Sequence, residues 1–343
     1  MAAPALVADA ADHALASGRW VKLICGASNQ DLPSIADLCA VYAAAGVHCV
    51  DVAADVAVVR AAREGLAWAE GRIGRRPWLM VSVSDGSDAH FRKAAFDPGR
   101  CPPDCRRPCE RVCPALAISP DRGVDPSLCY GCGRCLPACP LALIEPREHR
   151  VGREALTALL QELSPEALEI HTAPGRIEAF TATLAAVNTA ALPLRRLAVS
   201  CGLEGHGLAV SDLARELWMR HAALRAWGQR PLWQLDGRPM CGDVGAGTAH
   251  AAVRLWRQLQ PLAPPGPLQL AGGTNAATIG LLEGGVGPAG VAFGGMARLL
   301  LQPLLQEAER RGERLRDWPE GLALALERAR ALIRPWLQRP LEL

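Results

Sequence analysis

Cys129-Tyr130-Gly131-Cys132-Gly133-Arg134-Cys135-Leu136-Pro137-Ala138-Cys139-Pro140 sets the reading of the whole chain. Its spacing, Cys-x2-Cys-x2-Cys-x3-Cys-Pro, is that of bacterial ferredoxins. There, three closely spaced thiolates ligate one cubane and the fourth, turned away by its proline, reaches the neighbouring cluster. Upstream, Cys101-x3-Cys105-x3-Cys109-x3-Cys113-Pro114 repeats the pattern with one extra residue in two of its gaps. Each Cys-Pro is followed by a short apolar segment, Ala115-Leu116-Ala117-Ile118 and Leu141-Ala142-Leu143-Ile144. The stretch therefore reads as a duplicated half-domain with approximate two-fold symmetry, a bacterial-ferredoxin-like unit with eight cysteine ligands. Crossed ligation follows, with Cys129, Cys132, Cys135 and Cys113 on one 4Fe-4S cluster and Cys101, Cys105, Cys109 and Cys139 on the other. At the widened run a 3Fe-4S cluster that leaves Cys101 or Cys105 free is the alternative. Zinc is the competing metal, but zinc ligands usually arrive as separated Cys-x2-Cys pairs. Chemistry on S-adenosylmethionine would want Cys-x3-Cys-x2-Cys, and neither run contains it.

The rest of the chain limits the setting. Thirteen cysteines is an odd total, the N-terminus has no charged-then-apolar leader, and no uninterrupted apolar stretch is long enough to span a bilayer. The expectation is a reducing cytoplasm. With 343 residues, half of them hydrophobic, there is room for one large domain and one small one. A net charge of +2 with no concentrated arginine stretch gives no support for nucleic-acid binding.

Outside the cysteine segment, eight short apolar runs alternate with helical stretches: Val21 to Cys25, Val47 to Ala53, Trp78 to Ser84, Ala167 to Thr172, Arg196 to Cys201, Pro231 to Asp236, Leu268 to Ala271 and Gly290 to Phe293. Runs without clean alternation read as strands buried on both faces. Helical patterns follow at Asp31 to Ala45, Asp55 to Glu70, Arg176 to Ala190, Ser211 to Trp227 and Thr248 to Leu259. The expected fold is an α/β (β/α)8 TIM-like barrel, with an open doubly wound sheet as the alternative. The expected division is residues 1–84 for an N-terminal helix and strands 1–3, 85–150 for the ferredoxin-like insert, 151–310 for strands 4–8, and 311–343 for a helical tail. Because the insert leaves after the third strand it is a βα loop, which puts the clusters at the C-terminal face of the barrel, over its mouth.

Polar residues gather at the strand ends: Cys25, Ser28 and Asn29; Asp51 and Asp55; Ser84 and Asp85; Glu169 and His171; Ser200 and Cys201; Gln234, Asp236 and Arg238. Of these, Glu169, His171 and Asp236 are the candidate acid-base groups of an enzyme. Asp31, Asp55 and Thr274 read as helix caps. Two glycine loops, Gly272-Gly273-Thr274-Asn275 after the seventh strand and Gly294-Gly295 after the eighth, each expected to open a helix, are where many barrels bind phosphate. They form the candidate site for flavin mononucleotide or another phosphorylated ligand, the alternative being that the glycines serve close packing. A third loop, Gly242 to Thr248, reads as a lid or tight connection. Cys39 and Cys49 read as core residues, while Cys25, Cys201 and Cys241 sit at or after strand ends. His90, His149 and His206 fall in loops near the insert or the mouth and carry no assignment.

Several stretches together resemble the light-dependent period (LdpA) family, iron-sulfur proteins of the cyanobacterial circadian clock input. They are Lys22 to Ser28, Cys49 to Asp55, Arg76 to Ser82, His90 to Lys93, Cys101 to Cys105, Cys129 to Pro140, Glu169-Ile170-His171, Asp236 to Met240 and Ala271 to Asn275. The likeness runs from Trp20 to about Leu305, leaving the arginine-rich tail outside. It implies a ligand role for all eight clustered cysteines, sensing of the redox state of the photosynthetic electron pool, and protein partners in a redox or clock pathway. The leading expectation is thus an iron-sulfur redox sensor and electron-transfer protein rather than an enzyme. The alternatives are an iron-sulfur oxidoreductase, flavin-linked or not, with substrate in the barrel mouth, and clusters that act only as structural staples.

Overall fold

In the computed structural model, residues 9–203, 207–238, 245–282 and 287–340 are described. Eight parallel strands close into a barrel: β1 (Trp20–Ile24), β2 (Cys49–Ala53), β3 (Trp78–Ser84), β4 (Ala167–His171), β5 (Arg196–Gly202), β6 (Pro231–Asp236), β7 (Leu268–Ala271) and β8 (Gly290–Phe293). Neighbours in the chain are neighbours in the sheet, and β8 pairs with β1 in the register Trp20 to Gly290 and Leu23 to Phe293. The open doubly wound alternative is thereby excluded.

Each strand divides its residues between two environments, as the two-residue repeat of a pleated strand requires. Val21 and Leu23, Val50 and Val52, Leu168 and Ile170, and Trp233 and Leu235 join the large apolar cluster shared with the surrounding helices. The intervening positions, among them Lys22, Asp51, Glu169, Gln234 and Gln269, are buried and hydrogen-bonded to one another across the barrel interior. At the N-terminal pole, helix α1 (Ala10–Ala16) covers the opening: Ala11, Ala14 and Leu15 pack with Trp20, Trp78 and Met80. Asp12 of α1 bonds Arg196 at 2.6 Å and Arg230 at 3.1 Å, and Asp9 accepts from the Trp78 indole at 2.8 Å.

Helices α2 (Leu32–Ala45), α3 (Val56–Ile73), α4 (Arg153–Leu163), α5 (Ile177–Thr189), α6 (Val210–Ala226) and α7 (Ala249–Leu259) follow successive strands. The seventh connection departs from the expected pattern. After β7 the described residues hold only a single 3-10 turn, Ile279–Leu281, because Asn275 and Thr278 form a local turn instead. Helix α8 (Gly295–Arg311) follows β8, and α9 (Pro319–Leu337) is the tail helix. Far from being appended, α9 buries Ile333 and Trp336 against the barrel, and α8 is tied to α2 by the Tyr42 hydroxyl donating to the Ala297 carbonyl at 3.0 Å.

Candidate iron-sulfur site and the barrel network beneath it

Between β3 and α4 the chain leaves the barrel through an antiparallel stem, Arg92–Ala95 paired with Glu145–Glu148. Beyond it lie a two-residue hairpin, Ile118–Ser119 with Gly123–Val124, and two helical turns, Pro108–Arg111 and Cys135–Ala138. The two halves repeat in their backbone. Leu116 and Ala142, each three residues past a cysteine, both have φ of 51°. Ala117 N donates to Cys113 Sγ at 3.3 Å and Leu143 N to Cys139 Sγ at 3.4 Å.

The cysteines gather in two sets of four. Cys101, Cys105, Cys109 and Cys139 line one void with Phe96, Pro108 and Leu143. Cys113, Cys129, Cys132 and Cys135 line the other with Ala94, Ile118 and Val124. Each fourth member comes from the opposite run. Burial first, and then the Cys132, Cys129 and Cys113 thiols, push the Cys135 thiol up to about 12. Four thiols facing one apolar void strongly resist ionising together, and a polycationic metal core is what would let them do so. The insert's own apolar core is small. Its buried cluster is Cys109, Ile118, Cys135 and Ile144, half of it cysteine. A unit this small needs a further staple to hold its shape, and bound metal is one. The donor set therefore fits an iron-sulfur group.

The C-terminal ends of the strands receive the insert, as expected of a βα loop. Asn29 N, in the loop after β1, donates to Gly131 O at 2.8 Å. Gly131 and Gly133 both have φ of 81°, and a Cβ on Gly131 would lie 2.2 Å from the Arg92 carbonyl oxygen, so glycine is required there. The Ser28 hydroxyl, buried beside this loop, has no hydrogen-bond partner. Arg134 bonds Asp31 at 2.8 Å and Glu309 at 3.1 Å, bridging the insert to the starts and ends of barrel helices. Asp31 was expected to cap α2, but makes no side-chain cap and serves this bridge instead.

Below the insert, one hydrogen-bonded chain runs through the barrel. The Trp20 indole donates to Gln269, Gln269 to Gln234 at 2.7 Å, and Gln234 to Glu169 at 2.8 Å. Glu169 ion-pairs with Lys22 and lies 3.0 Å from His171 Nε2. His171 Nδ1 lies 2.9 Å from Asp88, which bonds His90 at 2.6 Å. Lys22 also pairs with Asp51 at 2.7 Å, and Asp51 accepts from Ser82 at 2.6 Å. Burial disfavours charge at Lys22, Asp51, Asp88, Glu169 and His171, but the pairings outweigh it at all of these except Asp51. Against its desolvation, Glu169 is held down at about 2 by Lys22 and His171. Burial, and then the neighbouring Glu169 carboxylate, raise Asp51 to about 6 against the pull of Lys22. His171, gripped by a carboxylate at each ring nitrogen, is pushed well above the ordinary imidazole range despite its burial. The ligand atoms of Asp88, His90 and His171 lie within 4.8 Å of one another, so Asp88 gathers both rings into one half-buried cluster.

Comparison with known proteins converges on one family. Residues 101–150 match the LdpA Fe-S cluster-binding domain, and residues 159–335 match the light dependent period A C-terminal domain. A protein of Synechococcus elongatus described as light dependent period A is 47% identical over 335 residues, covering 95% of this chain and 93% of that one. The chain belongs to the light dependent period A family. Its iron-sulfur binding domain is thereby placed on the insert, and the C-terminal match reaches residue 335, so the tail helix lies inside the family's extent rather than outside it. Among solved structures, the (S)-3-O-geranylgeranylglyceryl phosphate synthase of Thermoplasma acidophilum, in complex with sn-glycerol-1-phosphate, has a TM-score of 0.42 and 11% identity, covering 94% of this chain and 99% of that one. A likeness of that size carries no functional weight.

The remaining expected site residues divide. Glu169 and His171 come together in the buried network, and Asp236 joins it through Ser200. Burial raises the Asp236 carboxyl, opposed by the Ser200 hydrogen bond. In the first glycine loop, Thr274 donates to the Ala292 carbonyl and caps no helix. Asn275 bonds Gly245 O at 2.8 Å and Thr248 Oγ1 at 3.1 Å. A Cβ on Gly272 would meet Arg238 O at 2.5 Å, and one on Gly273 would meet Thr248 O at 2.9 Å. These four residues pack two loops together, which is the alternative reading of the glycines. Gly294 and Gly295 do open a helix, α8. Asp55 caps α3 as expected, at 3.0 Å to Ala57 N. Cys39 and Cys49 are buried in the core, and Cys25 and Cys201 are buried as well. Cys25 Sγ lies 3.7 Å from Cys39 Sγ. His206, Cys241 and the start of the Gly242 to Thr248 loop fall outside the described residues. Lys22 and Gln269 were missed, although a lysine in the middle of an apolar strand is itself a signal of a buried partner. No helix among the described residues is long and apolar enough to cross a membrane.

Proposed function

We propose that this protein is a redox sensor whose ferredoxin-like insert holds two 4Fe-4S clusters and passes their oxidation state to protein partners, in the manner its family name suggests for a light-dependent pathway. The observation that carries the reading is the crossed gathering of eight cysteines into two four-membered sets on top of the barrel. When bound, such clusters supply one-electron couples whose potentials depend on hydrogen bonds to sulfur and on solvent access. The protein's own contribution begins with the backbone donors at Cys113 and Cys139, which stabilise negative charge on those two sulfurs. Arg134, adjacent in sequence to Cys135, is the cation best placed to respond when that charge changes. It is shared between the insert and the carboxylates of Asp31 and Glu309, so its bonds are where a change in cluster charge would alter the hold of insert on barrel.

The sensor reading is preferred to the oxidoreductase because of Glu169. Its side chain is fully buried and already engaged by Lys22, Gln234 and His171, with no face left for a substrate. The test is anaerobic purification followed by iron and sulfide analysis, electron paramagnetic resonance, and hydrogen exchange of oxidised and reduced protein. About eight iron per chain, with faster exchange at the Arg134 bridge in one state, supports the reading. Stoichiometric zinc in place of iron, or identical exchange in both states, overturns it.

A further inference from the structure

A cleft of about 670 Å³ lies between the insert and the barrel and belongs to neither cysteine set. That volume falls within the range of small-molecule sites. Its walls come from both bodies: Phe91 and Tyr130 from the insert side, Val83, Val151 and Leu156 from the barrel side. The floor is apolar and the rim is basic. Arg60, Arg92, Lys93, Arg150 and Arg153 line it against a single carboxylate, Asp55. That carboxylate is already spent, capping α3 with one oxygen and pairing with Lys93 at 3.2 Å through the other.

Helix α4 begins in this cleft. Its N-cap is Gly152, which supplies no side-chain cap, although its extended φ of −61° and ψ of 146° would suit any capping residue. Nothing lies within 4 Å of where a Cβ on Gly152 would sit, so packing does not explain the glycine. What remains is a helix N-terminus without a side-chain cap at the edge of the cleft, with Arg153 lining the cleft and Glu154 next to it in the first turn.

We infer that the cleft between insert and barrel binds a small organic anion with an apolar body, its acidic group at the start of α4 with Arg153 and its body against Phe91, Tyr130 and Val83. The site goes beyond redox sensing and does not depend on it. Because the ligand would touch both bodies, its binding would also clamp the insert to the barrel.

The test is isothermal titration of the full-length, anaerobically prepared protein with 1-naphthoate, dodecanoate, 1-naphthalenemethanol and inorganic phosphate. One saturable site for naphthoate or dodecanoate is expected, with the uncharged alcohol and phosphate each about tenfold weaker or more. Gly152→Asp places a carboxylate where the ligand's acid would sit. Aspartate is also a good N-cap, so the variant should melt no lower than the parent while binding the organic acid about tenfold more weakly. Arg153→Gln should weaken binding in the same direction. The inference fails if neither acid saturates a site, if phosphate binds as well as the acids, or if Gly152→Asp folds normally and binds as tightly as the parent.

Discussion

Lys22→Met is the sharpest test of the barrel interior. The ammonium of Lys22 stands between Asp51 and Glu169, and all three side chains are at most 1% exposed. Methionine keeps the length and apolar stem and would lie beside Met80, which Lys22 already touches at 3.6 Å. The loss is then almost purely electrostatic: two buried carboxylates remain with one cation fewer. Breaking a buried ion pair in this way costs about 3–5 kcal/mol, because the surviving charges keep their desolvation penalty. For a chain of 343 residues the unfolding entropy is about 0.7 kcal/mol/K, so a loss of about 4 kcal/mol lowers the melting temperature by about 6 °C. Urea denaturation followed by tryptophan fluorescence reads the loss directly. The triple variant Lys22→Met, Asp51→Asn, Glu169→Gln removes these three charges while leaving acceptors for Ser82 and Gln234, and Asp88 beside His171, and should be more stable than the single variant. If the single variant loses less than about 1 kcal/mol, or the triple variant is no more stable than the single, the buried charges are not what organises the interior.

The same network sets a pH dependence with a defined sign. His171 has a folded-state value raised above 6.5, so its stabilisation is complete below about pH 6.5 and drains away as the pH climbs toward the raised value; His171→Gln should flatten that alkaline decline in a series of urea midpoints. Glu169, lowered from 4.5 to about 2, contributes above pH 4.5 and loses its contribution as the pH falls through that window, so Glu169→Gln should flatten the acid limb. Cys132→Ser should cut iron from about eight toward about four per chain while Cys39→Ser leaves it unchanged, measured by iron analysis of anaerobic preparations. Gly131→Ala forces a side chain against the Arg92 carbonyl and into a left-handed backbone, a cost of about 1–2 kcal/mol or more, seen as faster proteolysis within the insert.

Much of this was legible in the chain because the barrel strands are short apolar runs and the helices between them have clear periodicity. All eight strands lie where those runs lie, within a residue or two at their ends. What escaped was the meaning of polar residues inside the runs. Lys22, Asp51, Glu169 and Gln234 each occupy the centre of a strand that is apolar on both sides, and that is a two-residue alternation masked by the dominance of valine and leucine. The seventh connection misled for a local reason. The Asn275 to Thr278 stretch has the composition of a helix start, yet its side chains satisfy their own backbone in a turn. The cleft at Gly152 was beyond sequence reasoning altogether, since its walls come from segments dozens of residues apart and only the docking of insert on barrel brings them together.

That docking is uneven, and the unevenness bears on how a sensor of this build would work. On one side the insert's root is fixed by Asp88, held between His90 and His171 in a half-buried cluster where Phe91 stacks edge-on against His171. Charge pairs of this kind, continuous with the barrel's buried network, do not loosen readily. On the other side the insert is held by the Asn29 N to Gly131 O bond and by Arg134, whose side chain is 42% exposed and whose second partner, Glu309, is 67% exposed. Exposed pairs of that sort are worth at most about 1 kcal/mol and are screened by salt. The exposed ionic part of that second anchor is its softer part, and it follows Gly133 and adjoins the cysteine set of Cys129, Cys132 and Cys135. Under the proposed reading, the Arg134 bonds are the ones a change in cluster charge reaches first, while the Asp88 cluster keeps the stem in place.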